Sequence, residues 1–459
     1  MKISPSYLAD FMLIKLPPNL SHMVSTDDGL DLSNPFEASL FLHEWAHYIH
    51  NISTLNGMYL FSSMLTLWSD FRWKLDRNGS ASADEKLHKG RIFNVLRAHG
   101  HIKKSRLTHP TPALLEERRF DAKVLSIGVI TAPLIPRLPR FQERSTTIKL
   151  KLDVGGEKVD AAIGVVEILE CLAYSLEERY LRDQGELPTA PKIAPYQLVS
   201  KFAQHIAPNI QSDDIIRVCI CSLQTADPAL DLYQFLLVCS AKPLSEIRGY
   251  LEEQSRSALK ANSDNIENML KMVQDLFPLV EPMAITGCRL TLHMQTYLKR
   301  RQIHPFFELE LLDDAKALDE EVRSQLLGVM IAKSSVCRMY LTRNGDPDQV
   351  LRDDIASFKY HKDLFRELEF GYNKLHASFH YTMLHLDGKA FRNEDSLAKL
   401  KSDARICPFY SACPYDLRKN EPSICKSTPW KSLSRTVSVG NSCWYREGVR
   451  ATRRPDDEG

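Results

Sequence analysis

A chain of 459 residues, 44% apolar and 25% charged, is long enough to bury a large core and does not have a disordered composition. Its net charge of +1 gives no global signature of a nucleic-acid or anionic-membrane partner. No run approaches the about 18 apolar residues of a membrane span; the best, Gly57 to Trp68, is broken by Ser62, Ser63 and Thr66.

Residues 1–33 read as an irregular lead-in, with Pro17-Pro18 and Asp27-Asp28-Gly29 as turns. Met1-Lys2-Ile3-Ser4-Pro5 lacks the apolar core of a secretory leader, so a cytoplasmic protein is expected. The first long helix is expected from about 35 to 54, with Asn34 as cap, Pro35 at the first position and Glu37 at the third. Asn56-Gly57 should interrupt it before a second helix from Met58 to Leu75, and Asn78 to Gly90 reads as a polar loop. Between about 118 and 162 the character changes. Residues 123–130 and 146–152 read as strands, and Gly155-Gly156 allows a hairpin into 158–160. An edge strand beside a metal-binding helix is a natural place to hold an extended peptide.

A helix is expected over 161–182, with Val165, Ile168, Leu169, Leu172, Ala173 and Leu176 as its apolar stripe. Residues 195–400 read mostly as helices punctuated by prolines. The fold class is therefore α+β and predominantly helical. Three regions follow: 1–190 with the metal-binding helix, small sheet and third-ligand helix, 191–405 helical, and 406–459 a Cys-rich module with a charged tail.

The most informative stretch is Phe41-Leu42-His43-Glu44-Trp45-Ala46-His47-Tyr48-Ile49-His50. Residues four apart share a helix face, so His43 and His47 can offer two imidazole nitrogens to one zinc ion, with Glu44 in reach of a water there. Ala38, Phe41, Leu42, Trp45, Ile49 and Ile52 gather on the opposite side for a core, while His43, His47 and His50 share the face that looks into a cleft. A straight helix cannot bring His50 to the same ion, so it is expected to line the cleft or to bond a group behind the ligands.

A catalytic zinc usually takes three protein ligands. A histidine ten residues after the first would supply one, but that position is Ser53. Glu167 and Glu170 both interrupt an apolar helix. Glu170 lies nearer the centre of the stripe, about 40° round the wheel, and is the expected ligand, with Glu167 the alternative. Ala173, one turn on, leaves room for another helix. Tyr372, His376, His380 and Tyr381 form a second helical His-x-x-x-His group that could supply a further donor; a solvated helix face is the plainer reading.

Of the ten cysteines, Cys171, Cys219, Cys221, Cys239, Cys288 and Cys337 lie scattered in mostly apolar segments and read as buried free thiols. Cys407, Cys413, Cys425 and Cys443, spaced C-x5-C-x11-C-x17-C, number enough for a tetrahedral zinc site. The Cys407-Pro408 and Cys413-Pro414 steps also suit an iron–sulfur cluster. Arg405, Arg418, Lys419, Lys426, Lys431 and Arg435, with Tyr410, Tyr415 and Trp430 among them, could face nucleic acid, a composition that plain surfaces share.

His43-Glu44-x-x-His47, a strand region, then Glu170-x-x-Ala173 on a later helix resembles the gluzincin branch of zinc metallopeptidases, over about residues 35–180. Glu170 is not in the Asn-Glu-x-x-x-Asp setting of the best-known members. The resemblance implies His43, His47 and Glu170 as zinc ligands, Glu44 as general base, and hydrolysis of a protein or peptide substrate by a zinc-activated water. Two other readings stay open: a non-catalytic, metal-stabilised interaction protein, and a zinc hydrolase of a non-peptide substrate.

Overall fold

The computed structural model describes residues 6–16, 20, 32–76, 85–86, 90–118, 121–133, 144–277, 282–318, 338–341, 350–352, 362–386, 390–400, 405–410, 416–434 and 443–452. It is predominantly helical with a small three-stranded antiparallel sheet. One continuous core of buried apolar side chains runs from Met12 to Val449.

Helix α1 (Pro35–Ser53) starts where its cap dictates: the Asn34 side chain accepts from the backbone N–H of Phe36 at 3.0 Å and of Glu37 at 3.3 Å. The chain breaks at Thr54, two residues earlier than the Asn56-Gly57 step suggests, because Thr54 caps α2 (Leu55–Arg72) by accepting from Gly57 N–H at 3.1 Å. Gly57 sits inside the first turn of α2 for a different reason. A Cβ there would lie 2.2 Å from the carbonyl oxygen of Asn51, so only glycine lets the two helices fold back this tightly. The apolar ridge of α1 is buried throughout: Phe41, Ile49 and Ile52 are wholly covered, and Leu42 and Trp45 nearly so.

Strands β1 (Ser6–Leu8) and β2 (Leu13–Leu16) pair antiparallel in the segment that reads as irregular, and β2 runs parallel to a strand at Arg338–Leu341. β1 lies at the edge of that sheet. After the two-residue strand β3 (Glu85–Lys86), helix α3 (Arg91–Lys103) and the short α4 (Ala113–Glu116) lead to the three-stranded sheet. Its strands β4 (Ala122–Pro133), β5 (Arg144–Val154) and β6 (Glu157–Ile163) lie in sequence order. All three extend beyond their sequence-based bounds. Ile163, expected to be helical, pairs with Ile148 and holds the chain in the sheet. Helix α5 (Val165–Asp183) therefore begins after Gly164.

Helices α6 to α12, from Leu198–Ile206 to Phe307–Lys316, complete the body. α1 packs against α2, α5 and α11 (Pro282–Ile303), so three helices fix its orientation. A long helix, α13 (Lys362–His385), packs on α2, α11 and the C-terminal α14 (Trp444–Ala451). Among the described residues no helix is long and apolar enough to cross a membrane.

Candidate metal centre

The cap of α5 sets the phase of the helix that faces α1. Glu167 Oε2 accepts from Gly164 N–H at 2.8 Å, while its other oxygen accepts from Arg106 N–H at 3.1 Å and from Ser105 Oγ. Glu167 is thus wholly buried and tied to the start of its own helix. Glu170, three residues on, points at α1. Its Oε2 lies 3.6 Å from His43 Nε2 and 3.8 Å from His47 Nε2.

The ligand atoms of His43, His47 and Glu170 all lie within 4.8 Å of one another, and among the described residues they form the one such group of three or more His, Cys, Asp or Glu side chains. Metal bonds of about 2.0–2.2 Å place tetrahedral donors roughly 3.3–3.6 Å apart, so this two-histidine, one-carboxylate set fits zinc with small adjustments.

Glu177, a residue that the sequence reading did not single out, bonds His43 Nδ1 at 3.0 Å and so turns Nε2 toward Glu170 and His47. Its signal was available: Glu177 follows Glu170 by seven residues, on the same helical stripe. Burial would lower the His43 pKa, but the hydrogen bonds of Glu170 and Glu177, with the Glu44 charge, hold it up at about 10. Burial pulls His47 down to about 4 in spite of Glu170, leaving a neutral imidazole with a lone pair to donate. Burial would raise Glu170, yet the two imidazoles keep it low and ionised. A cation bound here therefore competes with one proton on His43.

Glu44 is 8% exposed and faces the same cavity. Burial lifts its carboxyl to about 7; His43 opposes the rise, and the Glu170 charge adds to it. The backbone N–H of Tyr7 in β1 donates to it. The Tyr7 ring stacks on that of His47 with centroids 6.3 Å apart, and its hydroxyl accepts from Asn51 Nδ2 at 2.9 Å. β1 is thus laid along the face of α1 that carries His43, Glu44 and His47. The cavity, of about 390 Å³, is walled by Tyr7, Leu8, Leu60, Ile102, Leu169 and Tyr196 beside the four motif residues. No residue of β4–β6 lines it, so the strand beside the site is β1 and not one of the 118–162 region.

Tyr196 lies in the helical turn Ile193–Gln197 after α5, with its ring edge-on to His43 at 5.9 Å. Burial, reinforced by Glu170, Glu44 and Glu177, pushes its phenol up to about 12, so it stays an O–H donor. The sequence reading looked instead to α13. There His376 and Tyr381 are buried and His380 half-buried: the His376 ring packs on Phe409, His380 Nδ1 lies 3.0 Å from the Tyr445 hydroxyl, and Tyr381 packs on Phe71. His376 and His380 thus contact the C-terminal segment; none of these residues, nor the buried Tyr372, lines the cavity or forms a solvated face.

His50 borders the cavity at its far end and turns Nε2 to Glu308, 3.1 Å away. Glu308 is itself clamped by Arg301, which also donates to the Ser53 carbonyl at 3.0 Å. The cleft face of α1 is therefore less open than its polarity suggests.

Cys407, Cys425 and Cys443 are all buried, and Cys413 lies outside the described residues. Cys171, Cys219, Cys221 and Cys239 are buried free thiols, Cys288 is exposed instead, and Cys337 is outside the described residues. Within the basic C-terminal set Arg418 is buried and Lys426 sits 5.2 Å over the Tyr410 ring; Tyr415 and Arg435 are outside the described residues.

Comparison with known proteins gives no matching family model, no matching curated protein and no matching solved structure.

Proposed function

We propose that this chain is a zinc-dependent peptidase acting at the cavity between α1, α5 and β1. The observation that carries the reading is the convergence of His43, His47 and Glu170 with the Glu44 carboxyl on one cavity wall. Zinc held by the first three would supply a Lewis acid for the substrate carbonyl and a more acidic water.

The rest is work for the chain's own groups. Glu44, with a pKa near 7, suits taking a proton from the attacking water and passing it to the leaving nitrogen as the C–N bond breaks. Tyr196 offers an O–H toward the carbonyl oxygen as that oxygen gathers charge. Glu177 keeps the His43 ring in register. What supports a peptide over another substrate is β1, an edge strand along the cavity, where an extended chain can add main-chain hydrogen bonds. What supports catalysis over a purely structural ion is a group of three ligands opening on a cavity, since structural zinc sites are closed by four.

The test is metal analysis and peptide-library hydrolysis of the wild type beside Glu44→Gln. The variant should keep its zinc and its fold and lose at least about 100-fold in hydrolysis. Activity that survives Glu44→Gln removes Glu44 as base, and a wild type that binds no metal removes the whole proposal.

A further inference from the structure

The cavity runs on past the two histidines and Glu170. His50 follows His47 by three residues and so lies about 4.5 Å farther along α1. Asn56 comes next, after the break at Thr54, in the first turn of α2. Gly57 lets that turn lie against the end of α1, and His50, Asn56 and Gly57 all line the cavity. Leu60, one turn after Asn56, and Ile102 of α3 add apolar wall.

Two buried acceptors belong to this end. Asn56 is 2% exposed, and its Oδ1 has no hydrogen-bond partner among the described residues. His50 is 1% exposed, and its Nδ1 has none among them either. Its Nε2 faces the Glu308 carboxylate at 3.1 Å, which draws the ring proton to that side. Burial keeps the ring neutral, so Nδ1 is a lone pair. Asn51 on the same wall shows the ordinary case: its Nδ2 donates to the Tyr7 hydroxyl at 2.9 Å and to the Ala9 carbonyl at 3.2 Å. A buried acceptor without a donor costs stability, so two of them beside a cavity mark a place for a ligand that brings two protons. Charge decides which ligand. Asp10, on the wall, is paired with Lys103 and His99, and Glu308, behind His50, with Arg301. Each carboxylate near this end already has its cation, so a buried ammonium or guanidinium would find no counter-charge there among the described residues. A primary carboxamide brings two N–H donors and no charge. Its carbonyl can accept from Lys103, which lines the cavity and carries two protons beyond its bond to Asp10.

We infer that the His50–Asn56 end of the cavity is a specificity pocket for the side chain of a glutamine beside the scissile bond. The pocket serves the proposed peptidase reaction and rests on that reading, but its selectivity for a carboxamide can be measured without hydrolysis. Glutamine is favoured over asparagine by reach. His50 lies about 7.5 Å along α1 from the midpoint of His43 and His47, and glutamine has the additional methylene. Glutamate would set further acceptors against the two already there and is rejected.

The experiment has two arms, both on the full-length chain. In the first, zinc-loaded wild type is given a synthetic peptide library and the cut sites are read by mass spectrometry. Peptides with glutamine at one position next to the cut bond should be hydrolysed about 100-fold faster than those with glutamate or methionine there. In the second, N-acetylglutamine methylamide and its glutamate and methionine counterparts are titrated into the chain and followed by NMR. The glutamine compound should bind at least about tenfold tighter than either of the others, and Asn56→Leu, similar in volume, should abolish the difference. Glutamine-selective binding without any hydrolysis refutes the peptidase reading and keeps the pocket. Hydrolysis with no preference for glutamine, or equal binding of the three compounds, overturns the pocket, since water then serves the two acceptors. An undiminished glutamine preference in a folded Asn56→Leu chain overturns it as well. The wild-type measurements decide the matter even where Asn56→Leu does not fold.

Discussion

Replacing Arg301 by methionine tests how α1 is anchored. Arg301 is fully buried: it donates to the Ser53 carbonyl at 3.0 Å, to Ser53 Oγ at 2.7 Å, to the Pro305 carbonyl at 2.8 Å and to Glu308. Methionine fills much of the volume but strips the buried Glu308 carboxylate of its guanidinium partner and leaves it beside the His50 imidazole alone, a loss of about 3–5 kcal/mol. At about 2.1 cal/mol/K per residue, a 459-residue chain unfolds with an entropy of about 1 kcal/mol/K, so the melting temperature should fall by about 3–5 °C. Arg301→Met with Glu308→Leu should fall less than the single change, because no buried charge is then stranded. The dependence on pH follows from Glu308. Burial would raise its pKa, but Arg301 and His50 hold it down to about 2, against 4.5 when exposed. A depressed carboxyl contributes stability that is present above pH 4.5 and is lost as the pH falls toward 2. The full contribution is about 3 kcal/mol, of which about 2 is gone by pH 3. His50 acts in the same direction, since burial lowers its pKa and the unfolded chain takes up its proton first as the solution is acidified. Calorimetry between pH 7 and pH 3 should therefore show the gap between wild type and Arg301→Met closing in acid. A single variant that melts within 1 °C of wild type, or no lower than the double variant, refutes the reasoning.

Glu170→Gln should weaken zinc binding by at least about 100-fold in a chelator competition, because one of three ligands is lost; unchanged affinity would show that another group completes the site. Tyr196→Phe should lower kcat by about 100-fold or more with KM and zinc content little altered, and a kcat within threefold of wild type would remove Tyr196 as a donor. Gly57→Ala should destabilise the chain by about 1–3 kcal/mol in thermal unfolding, since its Cβ would meet the Asn51 carbonyl at 2.2 Å; an unchanged melting curve would mean the α1–α2 turn can open without loss.

The legible parts of this chain are those whose signal is local. Asn34, Pro35 and the apolar spacing from Phe41 to Ile52 define α1 without reference to any other element, and α1 begins as they require. The Gly155-Gly156 hairpin is legible for the same reason, since both glycines take positive φ. What escaped depends on partners distant in sequence. β1 is three residues long and exists because β2 and the Arg338–Leu341 strand extend its sheet, which no window of residues 1–33 reveals. Tyr196 sits on a proline-bounded turn whose position is set by packing against α5. The histidines of α13 were misread because helical periodicity shows which residues share a face and not whether a later segment covers it; α14 covers this one. His50 is the intermediate case. Its face was legible, but its partner Glu308 lies 258 positions away and could not be read.

The choice between Glu167 and Glu170 shows how a local cap decides which carboxylate reaches the two histidines of α1. Both are glutamates on an apolar helix, and hydropathy separates them only by a modest angle. The structure separates them by what each would leave behind. If Glu167 turned toward the histidines, the N–H groups of Gly164 and Arg106 and the Ser105 hydroxyl would lose their acceptor in a buried place, at about 1–3 kcal/mol each. Glu170 has no such obligation at the helix start, and burial makes its carboxylate seek positive charge or a donor. Once Glu167 fixes the phase, the stripe through Glu170, Ala173 and Glu177 faces α1. Ala173 is fully buried and small enough for close approach, while the two glutamates reach opposite nitrogens of the same His43 ring. Gly164 closes the argument at its origin: a Cβ there would meet the Arg106 side chain at 2.4 Å, so the cap that orients the site depends on a residue with none.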